Sequence, residues 1–284
     1  MNFQDKLTII IVTFHSNEII EYLIKKLDKK IKILIIENSQ DVTLKRKLEE
    51  IYSNVEVIIP ERNLGVGAAI NIGLKKVKTK YSLQLSADVV IENNSIKILT
   101  DIADKIKNFS ILAPKDHDYQ YGEEMYKYFK EDKSLHEMNL VAGFAILINM
   151  KIITEVGLFD EEIFLYFEEF DFCLRCNKKK IPIYLSDEVK VSHKGNSSID
   201  KKFSHQIRVN RSWHYCWSKF YYFRKHYSYL YGIRKTLPNL LRSIKGCIYF
   251  FILRDRQNLI IKKAEIKGLL SSYFLKKSLY RPKL

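Results

Sequence analysis

The sequence predicts an α/β protein, built on a mixed, mostly parallel sheet with helices on both faces and followed by a basic helical C-terminal region. Two patterns carry that expectation. Over the first hundred residues, continuous β-branched runs alternate with segments whose apolar residues recur at helical spacing, which calls for crossover connections and a sheet buried on both sides. Charge is also unevenly spread: residues 201–284 hold 20 Lys/Arg against two acids, Asp255 and Glu265, whereas residues 1–200 hold 28 bases and 31 acids. The chain therefore divides into a body, residues 1–200, and a strongly basic region, residues 201–284.

The elements follow in order. "LTIIIVTF" (7–14) reads as a buried parallel strand, and "SNEIIEYLIKKLDK" after it places Ile19, Ile20, Leu23, Ile24 and Leu27 on one helical face. "IKILIIENS" (31–39) is a second strand, "VTLKRKLEEIY" a helix and "VEVIIP" (55–60) a third strand. "NLGVGAAINIGLKKVK" reads as a glycine turn leading into a helix, "YSLQLSADVV" as a fourth strand, and residues 96–107 as a helix. Residues 115–138, charged and rich in tyrosine, read as a mobile or lid-like segment. A strand, a helix, a loop and a helix near 168–179 follow, then the strand and loop of "IPIYLSDEVKVSHKGNSS". From His205 the pattern is helical, basic and aromatic.

At 284 residues the chain is long enough for one large domain or a domain with an appendage. Its four cysteines give no disulfide framework, and "MNFQDKLTIIIVTF" does not read as a signal peptide, so a cytoplasmic protein is expected. "LPNLLRSIKGCIYFFIL" (237–253) comes nearest to a membrane span, but Arg242 and Lys245 within it suit a helix lying at an interface. An excess of positive charge implies an anionic partner: a membrane surface, a nucleic acid or an acidic glycan. The interleaved bases and aromatics of "HQIRVNRSWHYCWSKFYYFRKHYSYLYGIRK" are open to RNA stacking, to a lipid headgroup layer, or to rings packed inward with the bases facing water.

In a sheet of this kind ligands bind beyond the carboxyl ends of the strands. That rule selects Thr13 to Ser16, Glu37 to Ser39 and Ser86 to Asp88. Asp88, a lone acid closing an apolar run, is either a capping carboxylate or a ligand for a hard cation such as Mg²⁺ or Mn²⁺. Glu37 and Asn38 form either a simple turn or a carboxylate and amide facing a nucleoside base or ribose. Gly65 and Gly67 fall short of a dinucleotide fingerprint, because Ile70 stands where the third glycine belongs. They serve turn geometry, or close backbone approach to a ligand. In "FLYFEEFDFCLR" (164–175) Asp171 has an ion-pair partner four residues on, Arg175. Glu168 and Glu169 have none at that spacing: they mark a helix start, or crowding and apolar walls raise a carboxyl pKa as a general base requires. His193 is a surface or satisfied structural histidine, or a metal or phosphate ligand, and Cys173 and Cys176 are buried thiols rather than a zinc site.

Together these stretches resemble the family 2 glycosyltransferases of GT-A (Rossmann-like) fold, and especially their bacterial rhamnosyltransferase-like branch, over residues 7–198. "IIENSQD" is similar to the family's V-D-N-x-S, "NLGVGAAINIGL" to N-x-G-x-x-x-A-x-N-x-G, and "LSADVVI" to L-N-P-D-V. "VGLFDEEIFLYFEEFDFCLR" is similar to G-x-F-D-E-x-F-F-x-Y-x-E-D-x-D-x-x-x-R, and "VSHKGNSS" to V-x-H-x-x-G-x-S. The resemblance implies an inverting transfer of a sugar from a nucleotide-diphosphate donor, dTDP-rhamnose or a UDP-sugar, to a hydroxyl of a surface polysaccharide or lipid-linked glycan. It implies Thr13, Phe14, Glu37, Asn38, Asn63, Gly65 and Ser86 around the donor, Asp88 and His193 at an Mg²⁺ or Mn²⁺ ion, and Glu169 or Glu168 as the base. Glu37 and Glu169 stand where the family writes Asp, and Asp88 is the only carboxylate left of the metal motif. Those departures keep open a nucleotide-sugar-binding homologue without activity. A nucleic-acid-binding protein is the rival from another class, and it leaves all three acids idle. An anionic membrane, reached from its inner face, is the partner implied for residues 201–284.

Overall fold

Strand β1 (Leu7–Thr13) shows why the chain folds as it does. Its side chains alternate between two apolar layers. Leu7, Ile9 and Ile11 join helices α1 (Asn17–Lys26), α2 (Val42–Ile51) and α4 (Asn93–Lys105) in one core through Leu23, Leu48 and Leu99. Ile10 points the other way and packs on helix α3 (Gly67–Lys76), where a Cβ on Gly73 would stand 2.8 Å from Ile10 Cδ1. A strand covered on both faces has no polar side to show, hence the unbroken run of β-branched residues. The computed structural model describes residues 2–128, 134–193, 204–278 and 280.

The remaining strands are β2 (Lys32–Glu37), β3 (Val55–Ile58), β4 (Tyr81–Ser86), β5 (Val89–Val90), β6 (Ile111–Asp116), β7 (Tyr126–Tyr128), β8 (Leu135–Met138), β9 (Ala145–Asn149) and β10 (Ile183–His193). They form one sheet in the order β3-β2-β1-β4-β9-β6-β10-β8-β7, with β5 paired to β10. Strands β3, β2, β1 and β4 are mutually parallel, β9 runs against both β4 and β6, and β6 and β10 are parallel. The expected mixed, mostly parallel GT-A sheet is present. "YSLQLSADVV" is not one strand, however: it stops at Ser86, turns through Ala87 and Asp88, and resumes as β5. The described part of 115–138 is not all loop. Strands β7 and β8 lie within that span, and His136 and Met138 are buried on β8, which pairs with β10 on one side and with the edge strand β7 on the other.

Two compact units emerge: Met1–Leu64, Ala68–Phe159 and Glu169–Ile199 form one, and Gly65–Gly67, Asp160–Glu168 and Asp200–Leu284 the other. The first holds the sheet, together with the short helix α5 (Ile153–Val156) and most of α6 (Glu168–Lys178). Helix α6 is fastened by Arg175, whose Nε donates to Asp171 at 2.8 Å and whose guanidinium also donates to the carbonyls of Val156 and Leu158. The expected i, i+4 pair is present.

The second unit contains helices α7 (Ser204–His226), α8 (Tyr229–Ile252) and α9 (Arg256–Tyr273). Trp213 and Trp217 pack with Ala264, and Phe220 with Cys216 and Leu269, so these α7 rings serve a helical core. No helix among the described residues is long and apolar enough to cross a membrane.

Asn71 of α3 is a buried bracket. Its amide donates to the Phe159 carbonyl and accepts from the Phe159 amide, each at 2.9 Å. Replacing Asn71 with Ala strands both groups, so a loss of roughly 2–4 kcal/mol is expected in urea unfolding, with the m-value unchanged.

Candidate active site

The carboxyl ends of β1, β2 and β4 are level. Thr13 is in register with Glu37, and Val12 with Ser86. Beyond them the loops are tied together: the Asn38 amide donates to the Thr13 carbonyl at 2.9 Å, and the His15 amide to Ser39 Oγ at 3.2 Å. His15 and Gln40 hold positive φ angles of 50° and 64° in these loops, an uncommon conformation for residues with a Cβ. Phe14 is next to His15, with the rings 4.6 Å apart.

Glu37 is fully buried, and its carboxylate is turned onto its own loop. It accepts from the amides of Ser39 and Asp41, at 3.1 and 2.7 Å, and from the Ser39 hydroxyl. Its visible work is to shape the loop. Asn38 Oδ1 accepts from the Leu64 amide at 3.3 Å, which fixes the segment that follows Asn63. Thr13 Oγ1, in contrast, is buried without a hydrogen-bond partner among the described residues. An orphaned hydroxyl at a strand end is costly unless something outside the chain meets it.

Gly65 has a φ of 83°, and a Cβ there would overlap the Phe164 carbonyl, while the next amide, Val66, donates to that carbonyl at 3.0 Å. Backbone packing therefore accounts for this glycine.

The second cluster depends on β5. Val89 pairs antiparallel with His193, which sets Asp88 beside that histidine although 105 positions separate them. Asp88 Oδ1 lies 3.2 Å from His193 Nε2, and Asp88 is buried. The Asp88 carboxylate lifts the His193 pKa above its usual range, burial opposes it, and Asp116 adds to the rise. Asp116 ends β6 one strand away, buried, with Oδ1 accepting from the Asp118 amide at 3.1 Å. The His193 ring stacks on Phe144 at 4.9 Å, and the Phe144 carbonyl accepts from the Ser86 amide at 2.7 Å.

Gly143, the residue before Phe144, brings in Glu169. A Cβ on Gly143 would stand 3.3 to 3.5 Å from Glu169 Cβ, Cγ and Cδ. A glycine at this position thus leaves room for the acid. The structure accordingly links Ser86, Asp88, His193 and Glu169 through Gly143 and Phe144. Glu169 sits in the first turn of α6, and its Oε2 is buried without a hydrogen-bond partner among the described residues. Burial pushes its pKa up to about 7, against hydrogen bonds from the first-turn amides. Glu168 precedes it, and ahead of both, Tyr166 and Phe167 take φ angles of 65° and 70°. Two consecutive left-handed residues with side chains are a local cost of the kind found at functional sites.

The pair Asp88 and His193 supplies one oxygen and one nitrogen donor. Among the described residues no group of three or more His, Cys, Asp or Glu side chains could hold a metal. The two donors fit a divalent ion that completes its shell with phosphate oxygens and water. Cys173 and Cys176 lie buried in α6, where burial raises both thiols, that of Cys176 to about 11. Residues 194–198, the end of "VSHKGNSS", fall outside the described residues.

Sequence reasoning missed Gly143, Phe144 and Asp116. Asp116 carries the signal that singled out Asp88, an apolar run closed by an acid, in "ILAPKD". Nothing local marks Gly143 or Phe144.

A family model described as glycosyl transferase family 2 matches residues 8–156. Among curated proteins, the dTDP-rhamnosyl transferase RfbF of Shigella flexneri is 25% identical over 240 residues, covering 78% of this chain and 76% of that protein. Among solved structures, the mannosyltransferase PcManGT of Pyrobaculum calidifontis, in complex with GDP-Man and Mn²⁺, aligns with a TM-score of 0.58 at 12% identity, over 96% of this chain and 88% of that one. GalNAc-T7, solved with UDP, GalNAc and Mn²⁺, aligns with a TM-score of 0.54 at 17% identity. The alignment takes in 83% of this chain and 57% of GalNAc-T7. At these identities the structures establish a shared GT-A fold.

The raised Glu169 carboxyl has a measurable consequence. With a folded pKa of about 7 against the usual 4.5, the folded protein holds a proton that the unfolded chain has released. Stability should therefore fall as pH rises from about 4.5 to about 7 and then level off. In Glu169→Gln that fall is absent, so the variant should exceed the parent at pH 8 by up to about 3 kcal/mol and match it near pH 4. Denaturant unfolding at the two pH values checks this.

Proposed function

Because this chain is a glycosyltransferase that belongs to glycosyl transferase family 2, we propose that it moves a sugar from a nucleotide-diphosphate donor to an acceptor hydroxyl with inversion at the anomeric carbon. The observation that carries the proposal is the placement of Glu169 beside Gly143, next in the chain to the Phe144 that stacks on His193. A carboxyl with a pKa near 7 is thereby joined to the Asp88–His193 pair.

The donor is dTDP-rhamnose or a UDP-sugar. The name of the Shigella relative supports the first, and the UDP bound to GalNAc-T7 the second. Thr13, whose hydroxyl has no hydrogen-bond partner among the described residues, faces the nucleotide together with Phe14, Asn38, Asn63 and Ser86. Glu37 and Gly65 act through the shape of their loops. Asp88 and His193 hold Mn²⁺ or Mg²⁺, which when bound offsets the charge of the departing diphosphate.

Glu169 takes the proton of the acceptor hydroxyl as its oxygen bonds to the anomeric carbon. The bond from that carbon to the diphosphate breaks on the opposite face, and the nucleoside diphosphate leaves. A base near pH 7 is matched to this task. The acceptor class is a surface polysaccharide or lipid-linked glycan. The excess of bases over residues 201–284 supports an anionic membrane surface as partner, with the protein on the inner face.

Glu169→Gln should retain donor binding and lose transfer by about a hundredfold or more. Parent activity should rise with pH through about 7, where Glu169 gives up its proton. Near-normal turnover in that variant, with loss in Glu168→Gln instead, would move the base to Glu168. Separately, Asp88→Asn should weaken nucleotide-sugar binding in the presence of Mn²⁺ and leave the metal-free affinity unchanged, as read by calorimetry.

A further inference from the structure

Helix α8 is built inside out for a helix that faces water. The side it packs against α7 and α9 carries small and polar residues beside two aliphatic ones, Ile233 and Leu240. Thr236 Oγ1 donates to the Gly232 carbonyl and pairs with the Tyr273 hydroxyl at 2.8 Å, and Ser243 Oγ donates to Asn239 O and Glu265 Oε2. Gly232, Thr236 and Ser243 are its buried residues.

Apart from Ile233 and Leu240, which pack on Cys216, Phe220 and Leu269, the large apolar residues of α8 point outward. Leu237, Leu241, Ile244, Ile248, Phe251 and Ile252 are all exposed, Ile248 at 58% and Phe251 at 72%. At 100° per residue these six fall within an arc of roughly 100°. Arg234 and Lys245 border that arc, with Lys235 and Arg242 beyond them on the same flank, and no acid occurs between Tyr229 and Arg254. A contiguous exposed apolar face of this length marks an interaction site.

We infer that α8 lies in the plane of an anionic bilayer, with the Leu237–Ile252 face sunk among the acyl chains and its bases on the headgroups. The claim deepens the membrane reading of residues 201–284 from attraction by charge to insertion of one named face, and it does not depend on the catalytic assignments. Charge decides the occupant. A second copy of this chain would bring two acid-free helices with four bases each against one another, whereas anionic lipid satisfies the apolar stripe and the bases together. No helix among the described residues is long and apolar enough to span, which suits an interfacial position.

The test uses the full chain with vesicles of phosphatidylcholine, with or without phosphatidylglycerol. Three outcomes are expected. The protein should sediment with the phosphatidylglycerol vesicles and retain part of that binding at high salt. An Ile248→Trp variant should show blue-shifted emission on vesicle addition, quenched by brominated acyl chains. Ile244→Gln/Ile248→Gln/Phe251→Gln, which leaves the charge unchanged, should lower partitioning at least tenfold while melting temperature and donor hydrolysis stay as in the parent. Unchanged binding by that triple variant, together with full release of the parent by salt, would mean attraction by charge alone and overturn insertion. Failure to sediment with either vesicle would overturn it too. A blue shift that appears without vesicles and grows with protein concentration would assign the face to self-association. Lost hydrolysis with vesicle binding intact counts against the proposed reaction and leaves this inference standing.

Discussion

One short pairing organises the candidate site: two residues of β5 laid antiparallel against the end of β10. By itself a two-residue ladder is a weak element. It persists because β10 is already fixed in the sheet by β6 and β8, so the last residues of β10 are held where β5 can meet them. The consequence is that Asp88 and His193, each near the end of its own strand, share one place. Phe144 completes the arrangement by stacking on His193 while its carbonyl holds the Ser86 amide. Breaking the β5–β10 pairing would leave two side chains with no reason to face one another.

The loops beyond the strands spend conformational energy that the sheet supplies. His15 and Gln40 occupy the left-handed region without being glycine. Such residues persist only where the surrounding structure over-determines them. For His15 and Gln40 the restraint is visible in the hydrogen bonds around Ser39 and the Glu37 carboxylate. A rigid, buried strand thus sets loops into shapes they would not hold alone, and polar groups such as Thr13 Oγ1 and Glu169 Oε2 are left oriented without hydrogen-bond partners among the described residues.

The helical region obeys a different economy. In α7 the large rings turn inward and build a core, as a helix beside water should. In α8 most of the order is reversed: hydroxyls and glycine are buried at the packed side with only Ile233 and Leu240 beside them, and the other Leu, Ile and Phe residues lie outside. Both helices are basic and aromatic, but α8 also carries eight Leu and Ile residues where α7 carries a single Ile, and composition does not say which way they face. Their packing does.

Much of this protein was legible from the residues in order. Alternating runs of β-branched and amphipathic segments determined an α/β sheet, because a strand buried on both faces must be apolar throughout. The rule that ligands meet the carboxyl ends of strands then pointed to Thr13, Glu37 and Ser86, which do lie level. The i, i+4 pair of Asp171 and Arg175 followed from helix geometry alone. What depends on contacts between distant segments was decided only by the tertiary structure. The meeting of Asp88 with His193 rests on an antiparallel ladder, Glu169 is seated by Gly143, and the Glu37 carboxylate is consumed by its own loop. Local pattern fixes the period and burial of an element, but not which distant backbone a side chain will meet, since that is set by packing summed over the whole sheet.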